Sequence, residues 1–200
     1  MLALHMRLNA KAETETAKIA RGLRERDLEV LADLVQRCHH RLVRYLLYLV
    51  GRQEHAEDLA QETWIRVLQR GTQYNGRQQF DPWLFAIARN LTIDYLRKKG
   101  KAGQAVSLPD DQDAWLLLPS SGPSPFEAAA RSQDAMRLAG RLQILAPLYR
   151  EALLLRFQED MSLPEIAQVV GAPVTTVSSR IYRGLAALRS AFQESDSHEG

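Results

Sequence analysis

The sequence predicts an all-α protein: two small helical domains joined by a flexible linker, the second containing a helix-turn-helix. Three observations predict it. Apolar residues recur at helical spacing on both sides of a central segment. No β-hairpin signal and no internal repeat interrupts that pattern. The central segment, residues 101–123, loses all periodicity and collects Gly103, Pro109, Pro119, Gly122 and Pro123, as a linker does.

The elements follow in order. Residues 1–20 form a poorly defined N-terminal segment, and residues 21–100 a first domain. In it Leu28, Leu31, Leu34, Val35, Leu42, Leu46 and Leu49 make one apolar stripe, ended by Gly51 as a left-handed cap. A second helix spans about Glu54–Gln69, with Leu59, Trp64, Val67 and Leu68 on its apolar side and Gly71 closing it. A polar loop, Gln73–Gln79, precedes a third helix. Asp81 is expected to cap that helix and Pro82 to occupy its first position. Trp83, Leu84, Ile87, Leu91 and Tyr95 line its apolar side, and Arg97, Lys98 and Lys99 place cations at the negative end of its dipole. The linker carries the acids Asp110, Asp111 and Asp113 and an apolar island, Trp115 and Leu116–Leu118, suited to docking on a domain or a partner.

The second domain covers residues 124–193, and a short polar tail follows at 194–200. Ser124 and Glu127 are spaced as a capping box, and helical patterning runs to about Leu145. A helix over about Pro147–Gln158 comes next. Ser162 and Glu165 repeat the capping-box spacing ahead of Leu163–Val170, which Gly171 ends. The last helix runs from about Val174 to Phe192.

Composition narrows the function. Of 200 residues, 46% are hydrophobic and 25% charged, the range of an ordinary globular protein. The net charge is only +2, so any nucleic-acid affinity rests on where charge sits. Cys38 is the single cysteine, which excludes an internal disulfide and fits a reducing cytosol. No signal peptide is expected at Met1 to Asn9. The apolar stretch Leu42–Val50 contains Arg44 and is too short to span a bilayer, so a buried helix is expected there. Cys38, His39, His40, His55 and His5 form no CxxC or HxxxH pair, and no phosphate-binding glycine loop exists. No catalytic residue, metal, cofactor or small-molecule substrate is therefore expected.

The segment Ser162–Leu188 carries the most function. A short helix, the tight turn Gly171-Ala172-Pro173 and a longer helix make a helix-turn-helix, whose second helix can enter a major groove. Ala167 is small where two helices cross. Val177, Ile181, Leu185 and Leu188 point inward, leaving Thr175, Thr176, Ser178, Ser179, Tyr182, Arg183 and Arg189 outward or sideways. From Ile166 to Gln193 there is no acid, while Arg180, Arg183 and Arg189 are present. Hydroxyls at a helix N-terminus suit phosphate, and arginine reads guanine bidentately.

Residues 28–99 and 127–192 resemble regions 2 and 4 of extracytoplasmic-function sigma factors. The resemblance rests on Ala56–Val67, Phe80–Lys99, Leu145–Phe157 and Ser162–Arg189, in that order. It implies a promoter-directing subunit of RNA polymerase, not an enzyme, active in a stress or envelope response. By this resemblance Glu57, Asp58, Gln61 and Glu62, with Trp64 packed behind, bind the β′ coiled coil of core polymerase; the β subunit is a further partner. The −10 element, read as melted single strand, falls to Tyr74, Asn75 and Arg77 of the loop and to Arg89, Asn90, Arg97 and Lys98 of the third helix. Stacking on aromatics and a basic backbone track suit that task. The −35 element, read as duplex DNA, falls to Ser178, Ser179, Tyr182 and Arg183, with Thr175, Thr176 and Arg180 as phosphate or structural contacts. Ser178 and Thr175 depart from the residues common at those positions, so the −35 preference is this chain's own.

Two other function classes make different demands on the sequence. A helix-turn-helix regulator needs a dimer interface or sensor domain in front and binds duplex DNA alone, whereas a sigma factor needs core polymerase. A helical interaction module would not require the basic stretch Ile166–Gln193. The resemblance further implies an anti-sigma factor as partner and a cytoplasmic location, with the inner membrane as the place where such a partner would hold it.

Overall fold

The computed structural model describes residues 15–103 and 145–196. The expected helix over 124–145, the linker island Trp115–Leu118 and the linker acids lie outside those residues. Every regular element among the described residues is helical.

An opening helix, α1, occupies residues 15–25, partly within the segment read from sequence as poorly defined. It buries Thr16, Ile19, Ala20 and Leu23. Its spacing of three, one and three is one helical face. Helix α2, Leu28–Val50, starts at Asp27, whose carboxylate accepts from the Glu29 and Val30 amides at 2.9 and 3.3 Å. It ends at Gly51 with φ +71, the left-handed cap that the sequence signalled. Leu34, Cys38, Leu42, Tyr45 and Leu46 face the core. Leu28 was expected in that stripe but is 77% exposed; it sits on the first turn, before the stripe rotates inward.

Helix α3 spans Gln53–Arg70 and runs into a 3-10 turn, Gly71–Gln73. Gly71 closes α3 as the sequence suggested, in a right-handed conformation at φ −54. Helix α4 spans Phe80–Gly103. Asp81 lies inside its first turn and does not act as the expected cap. Its carboxylate is instead taken by Arg41 at 2.6 Å and receives the Cys38 thiol at 3.6 Å.

In the second unit, α5 spans Pro147–Phe157, α6 Leu163–Val170 and α7 Val174–Asp196. The capping box at α6 is formed: Ser162 Oγ accepts from the Glu165 amide, and Glu165 Oε2 accepts from the Ser162 amide at 2.7 Å. Gly171 turns the chain at φ +66. Val177 and Ile181 are buried as expected, whereas Leu185, also expected inward, is 40% exposed. Gly184 takes the close crossing with α5: a Cβ there would lie 3.0 Å from a Leu153 methyl.

The two units pack against each other. Helix α6 lies on α4, and one continuous core joins α1–α4 to α5–α7. Ile93 with Leu49 and Leu96 meets Leu148 in a small satellite cluster. Ion pairs reinforce the seam. Arg89 of α4 and Glu151 of α5 are 2% and 0% exposed at the side chain and meet at 3.0 Å. Tyr45 donates its hydroxyl to the same Glu151 oxygen at 2.8 Å. Glu159, buried, receives Arg41 at 2.8 Å and Arg44 at 2.9 Å.

Burial, with Asp81 nearby, pushes the Cys38 thiol up to about 12. The thiol is therefore protonated at neutral pH, and only thiolate is nucleophilic. Iodoacetamide at pH 8 is expected to leave Cys38 unmodified in the native protein and to modify it in guanidinium, read by intact mass. Fast native modification would mean that this core opens readily.

Candidate polymerase and nucleic-acid interfaces

The residues that sequence reasoning assigned to core polymerase share one side of α3. Glu57, Asp58 and Gln61 are exposed, and Glu62 is half-buried. Offsets of one, four and five residues place them over adjoining turns. Gln53 donates to Glu57 at 2.6 Å, and Arg66 pairs with Glu62 at 2.9 Å. Trp64 is buried behind them and donates its indole N–H to His39 Nδ1 at 3.2 Å. The same side of the helix also carries Ile65 and Leu68, exposed by 46% and 41%. Leu68 was expected on the apolar side. Its exposure extends the acidic surface with an apolar margin that sequence reading missed.

The loop between α3 and α4 divides into a buried anchor and an exposed tip. Tyr74 is 3% exposed. Its ring packs on Phe80 and Trp83, with centroids 5.6 and 5.2 Å away, and its hydroxyl donates to the Gln78 carbonyl at 2.6 Å. Burial raises its phenol above the ordinary range, so the hydroxyl stays a donor. Tyr74 thus has no open face on which a base stacks. Asn75 and Arg77 are exposed at the tip. Asn75 Oδ1 accepts from the Arg77 amide at 2.9 Å, which fixes the turn between them.

Helix α4 exposes Asn90, Arg97 and Lys98, with Asp94 and Lys99 beside them. Arg89, assigned to the same DNA, is instead inside the seam against Glu151. In this arrangement it is not presented to a ligand.

On α7, Thr175, Ser178, Ser179, Tyr182 and Arg183 are exposed, Tyr182 by 76%. Thr176 and Arg180 are half-buried. Positions 175, 178, 179, 182 and 183 recur at three to four residues, so one face carries them. Val177 and Ile181 hold the opposite face in the core. No acidic side chain interrupts the presented face, and the buried stripe fixes its orientation.

Sequence reading missed the seam residues Tyr45, Glu151, Glu159 and Arg41. The signal available was charge inside apolar runs: Glu151 within Leu148–Leu155, and Arg44 within Leu42–Val50. A charge in such a position is retained where a partner is built for it. Among the described residues no group of three or more His, Cys, Asp or Glu is placed to hold a metal, and no helix is long and apolar enough to cross a membrane.

Comparison with known proteins places these faces in context. The Sigma-70 region 2 family matches residues 34–102, and the Sigma-70 region 4 family matches residues 135–188. The chain is 28% identical to the ECF RNA polymerase sigma factor SigW of Bacillus subtilis, over 88% of this chain and 96% of that protein. It is 30% identical to SigX of the same organism, another ECF RNA polymerase sigma factor, over 78% of this chain and 79% of that one. Among solved structures, it resembles the sigma factor RpoE in complex with the anti-sigma factor NepR from Bartonella quintana. That match has a TM-score of 0.61 and 22% identity, covering 81% of this chain and 96% of the other.

Proposed function

We propose, from the premise that this chain belongs to the extracytoplasmic-function sigma factors of the sigma-70 family, a division of labour among its exposed faces. The α3 face of Glu57, Asp58, Gln61 and Glu62 engages core polymerase. Its carboxylates steer encounter with a basic partner, and Ile65 and Leu68 supply apolar contact area. The Asn75–Arg77 tip, with Asn90, Arg97 and Lys98, takes melted −10 DNA. The α7 face of Thr175, Ser178, Ser179, Tyr182 and Arg183, flanked by Thr176 and Arg180, takes the −35 duplex. Tyr74 serves as the anchor of the loop, not as a stacking platform. The observation carrying this reading is the co-occurrence, in one chain, of a helix that presents a face without acids from a buried stripe and a separate exposed loop tip beside a basic helix end.

The arrangement described here is a closed one. The two promoter elements are centred about 25 base pairs apart, which is roughly 85 Å at about 3.4 Å per step. A compact body of the size of the described residues, 15–103 and 145–196, has a radius of gyration of about 14 Å and so a diameter of about 40 Å. One closed molecule cannot reach both elements. Promoter recognition therefore requires α5–α7 to leave α4, which also frees Arg89 for DNA. A protein partner that holds the units together, such as the anti-sigma factor bound by the Bartonella relative, would keep this chain inactive. We place the chain in the cytoplasm, with no catalytic function of its own, and with the inner membrane as a site where such a partner would retain it.

The test is transcription in vitro by bacterial core polymerase on a library of random promoters, with and without the protein. Transcripts that need the protein and share two separated elements are expected. A protein that shifts duplex DNA alone, yet neither binds core polymerase nor starts transcripts, would replace this reading with that of a helix-turn-helix regulator.

A further inference from the structure

We infer that α1 is a positioning element for promoter specificity: its backbone is the surface against which the Asn75–Arg77 tip is cast. The inference rests on the loop reading −10 DNA. Two glycines carry the observation, Gly71 at the turn that leads into the loop and Gly76 in its tip. At Gly71 a Cβ would lie 2.8 Å from the Leu23 carbonyl oxygen, and at Gly76 a Cβ would lie 2.9 Å from that of Thr16. Gly76 also has φ +72, a conformation that L side chains rarely adopt. Both obstacles are backbone atoms of one helix, which cannot swing aside as a side chain can. Ala20 fills the space between: its Cβ would lie 3.2 Å from one built on Gly76.

The opposite side of the loop is equally defined. The Tyr74 hydroxyl is tied to the Gln78 carbonyl at 2.6 Å, and the Tyr74 ring sits on Phe80 and Trp83. The tip residues are thus held between an aromatic floor and the α1 backbone, with no slack at Gly71 or Gly76. Helix α1 is itself tied to α2 by Glu15 and Arg37 at 2.6 Å, and by the buried Ile19, Ala20 and Leu23. A preorganised reader discriminates between bases because its donors cannot shift to suit the wrong one. Residues of α1 touch no DNA in this account, yet they set where Asn75 and Arg77 stand.

The test uses full-length Gly76→Ala and Ala20→Gly with core polymerase on the random promoter library. Gly76→Ala pushes the tip off α1; Ala20→Gly opens a gap and leaves the fold intact if the first variant does not fold. Both are expected to flatten base preference at the −10 positions several-fold. Affinity for core polymerase and preference at −35 should stay within twofold of the parent. Reduced output from all promoters with an unchanged −10 profile would overturn the inference and leave α1 with a purely structural role. An unchanged profile and output would overturn it as well. Failure of the sigma reading itself looks different: the parent protein would then yield no promoter preference at all.

Discussion

Replacing Glu151 by alanine is expected to part the two units of the free protein while leaving each one folded. Glu151 is fully buried and meets Arg89, 2% exposed, at 3.0 Å. The same oxygen accepts from Tyr45 at 2.8 Å, while Oε2 of Glu151 makes no hydrogen bond among the described residues. Breaking such a buried pair takes from Arg89 its carboxylate at the seam, at a cost of about 3–5 kcal/mol. Arg89 can regain water in one inexpensive way. Arg89 lies on the face of α4 toward α5 and α6, so separation of the units exposes it without disturbing α1–α4. The closed population should then fall by roughly 150- to 5,000-fold. Small-angle scattering should report a larger radius of gyration with unchanged helical circular dichroism, and association with core polymerase should speed up. An unchanged radius with a lowered melting temperature would mean that Glu151 stabilises its own unit and is no clasp.

Arg183→Ala is expected to weaken use of the −35 element with no loss of stability. Arg183 is exposed on α7 in a stretch without acids, and exposed substitutions away from caps and cores shift stability little. A bidentate arginine–guanine contact contributes about 1–3 kcal/mol of base discrimination, or roughly 5- to 150-fold. Promoters differing at a single −35 position should therefore converge in strength by that factor. If Arg183 instead holds a phosphate, all promoters weaken together and the salt slope of binding falls by about one. That outcome would move base reading to Ser178, Ser179 and Tyr182. No effect on either quantity would remove this face of α7 from DNA.

Local signals were legible where the physics is local. Capping by Ser162 with Glu165, the left-handed turns at Gly51 and Gly171, and the burial of Val177 and Ile181 depend on neighbours three or four residues away. Sequence spacing states those neighbours directly. The errors fall where a distant partner decides. Asp81 reads as a helix cap until Arg41, 40 residues earlier, takes its carboxylate. Arg89 reads as a DNA contact because basic residues follow it on the same helix. Its partner Glu151 lies 62 residues on, across a linker whose length says nothing about docking. Tyr74 reads as a stacking platform because an aromatic in a polar loop looks exposed, yet Phe80 and Trp83 enclose it. Gly71 does close α3, but its close approach to α1 was not legible. The grouping of the faces proposed for core polymerase and for −35 DNA was legible because the residues of each share a single helix. The seam was not, since it is made of residues from three.

The most direct test of closure in isolation and opening on a promoter is one interdomain distance. Gln36→Cys on α2 and Ala187→Cys on α7 are exposed positions, neither among the residues assigned to polymerase or DNA, and the buried Cys38 should not compete for dye. Energy transfer between the two labels should be high in the free protein. It should drop sharply when core polymerase and promoter DNA are added together, with the distance rising beyond the roughly 40 Å diameter of the closed described units. Transfer that is already low in the free protein, or that stays high in a complex actively making transcripts, would contradict the account.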